Sequence, residues 1–211
     1  RDAIASMREL FDPQRFDPAP DDRVFTLCMA DATAAVLMPP LAAHVQAAGL
    51  AVRLRVDPLT TRDPRPQLER GGPDVAIGFF PDVVRALGAA GDQAELAHEP
   101  LYDCRYVCVM RRGHPLAERP TLSLDDYVAA DHLRVSFAGR PQGFVDEALT
   151  ELGRERRVAM TVSQFSAAAQ VLGRSDLLAV FPYTYVAASG VADALAVRDL
   201  PLPMPAKRVG L

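Results

Sequence analysis

Side chains able to recognise an anion or an aromatic ring recur where the apolar runs of this sequence stop. Asp31-Ala32-Thr33 follows RVFTLCMA and precedes AAVLMPPLAAHV, so it lies at a strand end that opens a helix. Orphan backbone N–H groups and a threonine hydroxyl at such a place favour a carboxylate or phenolate. Asp31 is itself anionic and would oppose an acid unless it points away. The plainer role of Asp31 or Thr33 is to cap the helix. Thr60-Thr61 follows the second strand at the same lip, where the competing role is turn chemistry. Phe79-Phe80 ends the third; both suit core or hinge packing, and one of them could stack on an aromatic ligand. Ser136-Phe137-Ala138-Gly139-Arg140-Pro141-Gln142 repeats the arrangement of Asp31–Thr33: a strand end and a loop opening a helix. Arg140 could pair bidentately with a carboxylate, or be a solvated loop arginine. Phe165, at the end of another strand, reads as half core and half pocket wall. Pro182 and Tyr183 follow LLAVF and are placed to close a cleft.

The same sequence lacks the usual catalytic signatures. It contains no G-x-S-x-G, H-E-x-x-H, P-loop or G-x-G-x-x-G pattern. The four histidines, His44, His98, His114 and His132, are scattered, whereas a metal site wants paired ligands at short spacing. Cys104 and Cys108 fall on strand-like sequence, about 13 Å apart at about 3.3 Å per residue, too far for one zinc. Neither a metal nor another cofactor is expected. Arg154, Arg156 and Arg157 form a basic cluster that fits a solvated helix end better than a DNA contact.

The elements that position these residues follow from patterning. The chain has 211 residues, a formal charge of −4, 49% hydrophobic and 24% charged residues, ordinary values for a folded protein with a sizeable core. The net negative charge argues against this chain alone gripping a phosphate backbone. Three cysteines, an odd number in apolar sequence, fit buried free thiols in a reducing compartment. No run reaches the roughly 18 apolar residues of a membrane helix, and the first ten residues lack a signal-peptide core. A cytoplasmic location, with no membrane partner, is the expectation. Residues 1–20 read as the end of a helix followed by a Pro/Asp-rich linker, and KRVGL as a strand being entered. A fragment of a longer chain is therefore expected.

RVFTLCMA, AVRLRVD and DVAIGFF read as strands separated by helical sequence, giving β-α-β-α-β and a parallel sheet. AVRLRVD alternates, which places it near an edge. Pro39-Pro40 should break or kink the first helix, and Gly49 should end it. LYDCRYVCVM reads as one long strand, and Ser123–Asp126 as a capping box. LRVSF, Val158–Phe165, LLAVF and Ala194–Leu200 read as further strands, the last returning to the first lobe. Phe144–Leu152, Ser166–Gly173 and Tyr183–Ser189 read as helices. The expected architecture is α/β, with two Rossmann-like lobes: residues 21–102 with 191–211, and residues 103–190. Two crossings between them would make a hinge around a shared, ligand-binding cleft.

Taken in order, "DRVFTLCMAD", "VLMPPLAAHV", "GGPDVAIGFFPD", "LYDCRYVCVMRRGHPLA", "LSLDDYVAADHLRVS", "GFVDEALTELGRERRVAMTV" and "SDLLAVFPYTYVA" carry a resemblance over nearly the whole chain. The sequence resembles the effector-binding domain of LysR-type transcriptional regulators, in the branch of the nodulation and aromatic-degradation activators. The resemblance implies a periplasmic-binding-protein-like fold of type 2 and a small organic effector, plausibly an aromatic acid or phenol, held between the lobes. It makes Asp31–Thr33 and Ser136–Gln142 the main contact regions. It also implies an antiparallel homodimer built from a helix and a strand of each lobe, compatible with the edge strand Val52–Val56. Full-length regulators of the family are usually tetrameric. DNA contact would come only through an N-terminal helix-turn-helix, absent from this sequence. No catalysis is expected. The competing readings are a free-standing periplasmic-type solute-binding protein and a small enzyme, such as a dehydratase, on the same fold.

Overall fold

The computed structural model describes residues 24–91, 94–136, 142–204 and 207–211. The expected linker helix and linker lie outside the described residues, as do Phe137 and Arg140. The chain divides into two compact units, Arg1–Asp103 with Lys207–Leu211, and Cys104–Ala206.

In the first unit, β1 (Val24–Met29) is the centre of a parallel sheet of order β2-β1-β3, with β2 at Arg53–Pro58 and β3 at Val75–Ile77. Leu27, Cys28 and Met29 are buried, as the apolar run requires. Asp74 fixes where β3 starts. Its carboxylate accepts from the Thr26 amide at 2.8 Å, and its own amide donates to the Thr26 carbonyl at 2.8 Å. Helix α1 (Asp31–Ala47) follows β1, α2 (Arg65–Leu68) precedes β3, and α3 (Pro81–Ala90) follows it. Strand β4 (Pro100–Cys104) pairs with β10 (Lys207–Gly210), and Gly210 bridges in turn to Gly78 at the end of β3.

The proline pair does not break α1. Pro39 and Pro40 lie inside the helix. Each removes a backbone donor, but the buried stripe Leu37, Leu41 and Val45 continues at i+4 spacing on both sides of them. Packing of that stripe carries the helix across. Its end is as expected: Gly49 takes φ 63°, and the Leu50 amide reaches back to the Val45 carbonyl. The expected side-chain cap does not form, because the cap position is Ala30 and Asp31 is already helical.

The second unit is built around β5 (Tyr106–Arg111), whose Val107, Cys108, Val109 and Met110 are wholly buried. It pairs antiparallel with β8 (Ala179–Pro182) and with β9 (Leu195–Asp199). Parallel strands β6 (Asp131–Val135) and β7 (Arg157–Val162) join through a bridge from His132 to Leu178. Helices α4 (Leu124–Ala129), α5 (Phe144–Glu151), α6 (Phe165–Leu172) and α7 (Tyr183–Ala188) complete it. Ser123 caps α4 as expected, its hydroxyl accepting from the Asp126 amide at 3.1 Å.

Two strand assignments change. LYDCRYVCVM is not one strand: it stops at Arg105, with β4 pairing in the first unit and β5 in the second. The strand at 194–200 does not return to the first lobe. As β9 it pairs with β5 from Val107↔Asp199 to Arg111↔Leu195, so residues 191–204 belong to the second unit and β10 makes the return.

Glycine is required at Gly78. A methyl group there would sit 2.7 Å from Cζ of the buried Phe80 ring, on a residue that exchanges two backbone bonds with Gly210. Gly78→Ala is expected to cost about 1–3 kcal/mol, the range for overpacking a closed site. Thermal denaturation checks this; an unchanged melting temperature would show that Phe80 gives way freely.

Candidate functional site

Parallel register decides which expected site residues come together. In the first unit Met29 stands opposite both Pro58 and Ile77. All three strands therefore end on one sheet edge, and the residues after them collect there: Asp31–Thr33, Thr60–Thr61 and Phe79–Phe80. The Leu59 amide donating to the Met29 carbonyl at 3.1 Å ties the second exit to the first. The strand order also reverses here, since β1 is flanked by β2 on one side and β3 on the other, the place where open α/β sheets bind ligands.

The structure sorts these residues by availability. Ala32 is buried and contributes its backbone; Thr33 and Asp31 are half-buried in the first turn of the seventeen-residue α1. The cap residue, Ala30, has no side-chain oxygen to offer that turn. Thr60 is exposed. Thr61 is largely committed to a turn: its hydroxyl donates to the Asp63 carbonyl and accepts the Asp63 amide, both at 3.1 Å. Phe80 is core, packed with Cys28, Leu59, Ala76 and Val83, whereas Phe79 is 36% exposed. Of the two rings, Phe79 is the more open to solvent.

In the second unit the parallel pairing Val135↔Val162 aligns the ends of β6 and β7, and the Ser136 amide donates to the Val162 carbonyl at 2.9 Å. Ser136 is half-buried and Gln142 exposed, on either side of the undescribed stretch that holds Phe137 and Arg140. Phe165 bears out the core half of its expected role. It is buried and packs edge-on against Phe181 and Tyr185, at 5.6 and 5.8 Å between ring centres. Tyr183 is 48% exposed at the start of α7. The Arg105 guanidinium lies 4.0 Å from its ring centre and pairs with Asp199 at 2.9 Å. Arg105 went unnoticed because nothing in its spacing marks it.

The basic cluster at 154–157 is also not a solvated helix end. Arg154 pairs with Asp125 and Arg157 with Asp131, but Arg156 is buried, its side chain only 4% exposed. Arg156 Nε donates to Asp146 Oδ1 at 2.8 Å, and one terminal nitrogen donates to the Tyr127 hydroxyl at 3.2 Å. The same nitrogen lies 3.5 Å from His132 Nδ1. His132 Nε2 lies 2.8 Å from the Tyr127 carbonyl, which can only accept, so the proton sits on Nε2 and Nδ1 turns its lone pair to Arg156. Burial, and then the charge of Arg156, lower His132 to about 4. Burial would raise Asp146, yet the bond and charge of Arg156, the Gly143 amide and Arg134 together hold it below the usual carboxylate range. Burial pushes the neighbouring Cys108 thiol up to about 12, so it is inert at neutral pH.

Two α/β units, each with parallel strands that end together, are compatible with the type 2 periplasmic-binding-like class. Within that class the comparisons are specific. The family described as LysR substrate binding domain matches residues 19–211, and the chain belongs to it. It is 32% identical to the HTH-type transcriptional activator NahR of Pseudomonas putida, over 80% of this chain and 53% of that protein. It is 29% identical to nodulation protein D 1 of Rhizobium leguminosarum bv. phaseoli, over 90% and 58% respectively. The chain thus spans little more than half the length of the curated relatives it matches, and falls in the branch its motifs indicated. Among solved structures, the regulatory domain of Synechocystis CcmR in complex with 2-PG shares the fold, with a TM-score of 0.69 and 17% identity over 90% of this chain and 86% of that one. Among the described residues no helix is long and apolar enough to cross a membrane.

His132 makes stability depend on acid. The unfolded chain takes up its proton near pH 6.5 and the folded chain only near pH 4, so between these values the unfolded state binds more protons and stability falls as pH drops. His114, also lowered by burial, acts in the same direction; Asp146 adds its loss only below the usual carboxylate range. Chemical denaturation at pH 7 and pH 4 is expected to differ by on the order of 3 kcal/mol from His132. The slope should be visibly shallower in His132→Gln. An equal slope in wild type and variant would contradict the assignment.

Proposed function

We propose that this chain is the ligand-sensing domain of a LysR-type transcriptional regulator and that its effector is a small organic acid or phenol, aromatic in the first instance. The observation that carries this is the gathering of the α1 start, Thr60 and the partly exposed Phe79 on one sheet edge, within a chain of this family. A helix start and a hydroxyl suit a carboxylate or phenolate oxygen, and an aromatic ring suits a ring. Ser136, Phe137, Arg140, Gln142 and Tyr183 are proposed as the contacts from the second unit. Thr61 and Phe165 drop to supporting roles, since their hydroxyl and ring are already engaged. Binding would shift the balance between conformations of the regulator by no more than its differential affinity for them.

DNA contact is proposed to reside in a helix-turn-helix elsewhere in the full-length protein. A homodimer, assembling to a tetramer at full length, is the proposed state. Support comes from β2, an edge strand whose Arg53, Arg55, Val56 and Asp57 are exposed. Kinship with transcriptional activators favours this reading over a free-standing solute-binding protein or an enzyme.

A thermal-shift panel of benzoate, phenol and aliphatic acids tests the reading. A ligand at 100 times its Kd should add about 2.7 kcal/mol of stability. Thr33→Ala and Arg140→Ala are each expected to weaken any such shift with little change in the basal melting temperature. Normal binding in both variants would show that the site is elsewhere. The chain alone is expected to show no sequence-specific duplex binding at moderate salt; a tight mobility shift would overturn the division of labour.

A further inference from the structure

The polar cluster behind α5 has no part in the ligand contacts, yet it is the most completely enclosed charge among the described residues. Arg156 gives α5 its one buried cation, and Asp146, in the first turn of that helix, is the anion that meets it. The second oxygen of Asp146 is already in use: Oδ2 accepts the Gly143 amide at 2.7 Å, the residue on which α5 begins and the one after Gln142. A single carboxylate therefore joins the buried guanidinium to the backbone at the end of the Ser136–Gln142 segment. The remaining contacts leave Arg156 no alternative seat. Tyr127 from α4 and His132 from β6 hold one terminal nitrogen, and Tyr127 and His132 lock one another, with ring centres 4.6 Å apart and the 2.8 Å bond to the Tyr127 carbonyl. Arg134 approaches Asp146 Oδ2 at 3.8 Å, also from β6.

We propose that Arg156 and Asp146 are positioning residues: through the Gly143 amide they fix where the second unit's ligand-contact segment ends and α5 begins. The inference deepens the functional reading and rests on it for the word ligand; the positioning itself does not. An uncompensated buried carboxylate would turn toward water, taking the bond to Gly143 with it. A guanidinium can reach Asp146 and Tyr127 together, whereas an ammonium, a compact point charge, holds only one of them in line.

Residue-resolved amide exchange of the whole chain tests this without any ligand. In Arg156→Lys the Gly143 amide is expected to exchange about tenfold faster, while the amides of Val107, Cys108 and Val109 in β5, which report opening of the whole unit, stay within about twofold. Arg156→Met should give a larger change at Gly143. Should Arg156→Met fail to fold, Arg156→Lys alone decides. Gly143 exchange unchanged from wild type, or rising by the same factor as β5, overturns the proposal. Benzoate titration of the same variants separates the two readings. Faster Gly143 exchange with unchanged benzoate affinity upholds the positioning and removes Gln142 and its neighbours from the contact set. If benzoate binds neither wild type nor variant, the exchange result still stands and the aromatic-acid reading is what fails.

Discussion

Everything that can bind in this molecule depends on parallel strands ending together. Hydrogen bonding in register from Val24↔Arg53 to Met29↔Pro58, and from Leu27↔Val75 to Met29↔Ile77, leaves no freedom in where the three exits of the first unit emerge. A shift of one residue would swap the faces on which Leu27, Cys28 and Met29 pack and carry Thr60 and Phe79 away from Asp31. The Asp74–Thr26 pair and the Leu59–Met29 bond fasten the two ends of that register. Burial of the β1 side chains thus sets the geometry of a polar edge none of them belongs to.

The second unit solves the same problem by different means. Its central strand pairs antiparallel on both sides, while β6 runs parallel to β7, with a register shift between His132 and Leu133, and makes a parallel bridge to Leu178. Position is then set less by sheet register than by charge. A buried arginine, one carboxylate, a phenol and a neutral imidazole tie α4, α5, β6 and the start of β7 together. Such a cluster is costly unless every member is satisfied: His132 stays neutral because it is buried and, next, because Arg156 faces it, and Asp146 stays charged because Arg156 bonds it. The acid sensitivity of the domain and the placement of the α5 start come from one set of contacts.

Much of this was legible before any coordinates. Unbroken apolar runs marked β1, β3 and the core of β5; alternation marked β2; Ser123 and Gly49 marked helix ends. The common edge of the first unit's strand ends was legible because it follows from β-α-β order. The failures share a cause, which is tertiary packing overruling local signals. Pro39-Pro40 looked like a break because the i+4 stripe that overrides it gains its value only when buried. LYDCRYVCVM looked continuous because nothing local announces that its halves pair in different units. The strand at 195–199 gave no sign of its partner, and the helix at 81–90 was passed over, with only Val83 of its residues buried. Arg156 was read as solvated because a buried cation and an exposed one look alike until Asp146, ten residues earlier, is seen beside it.

The account is tested most directly by mapping backbone amide shifts of the chain while benzoate or phenol is added. It predicts saturable changes confined to residues 30–34, 59–61, 78–80, 136–143 and 183. Changes clustered on the exposed strand Arg53–Pro58, or spread evenly over the surface, would contradict it.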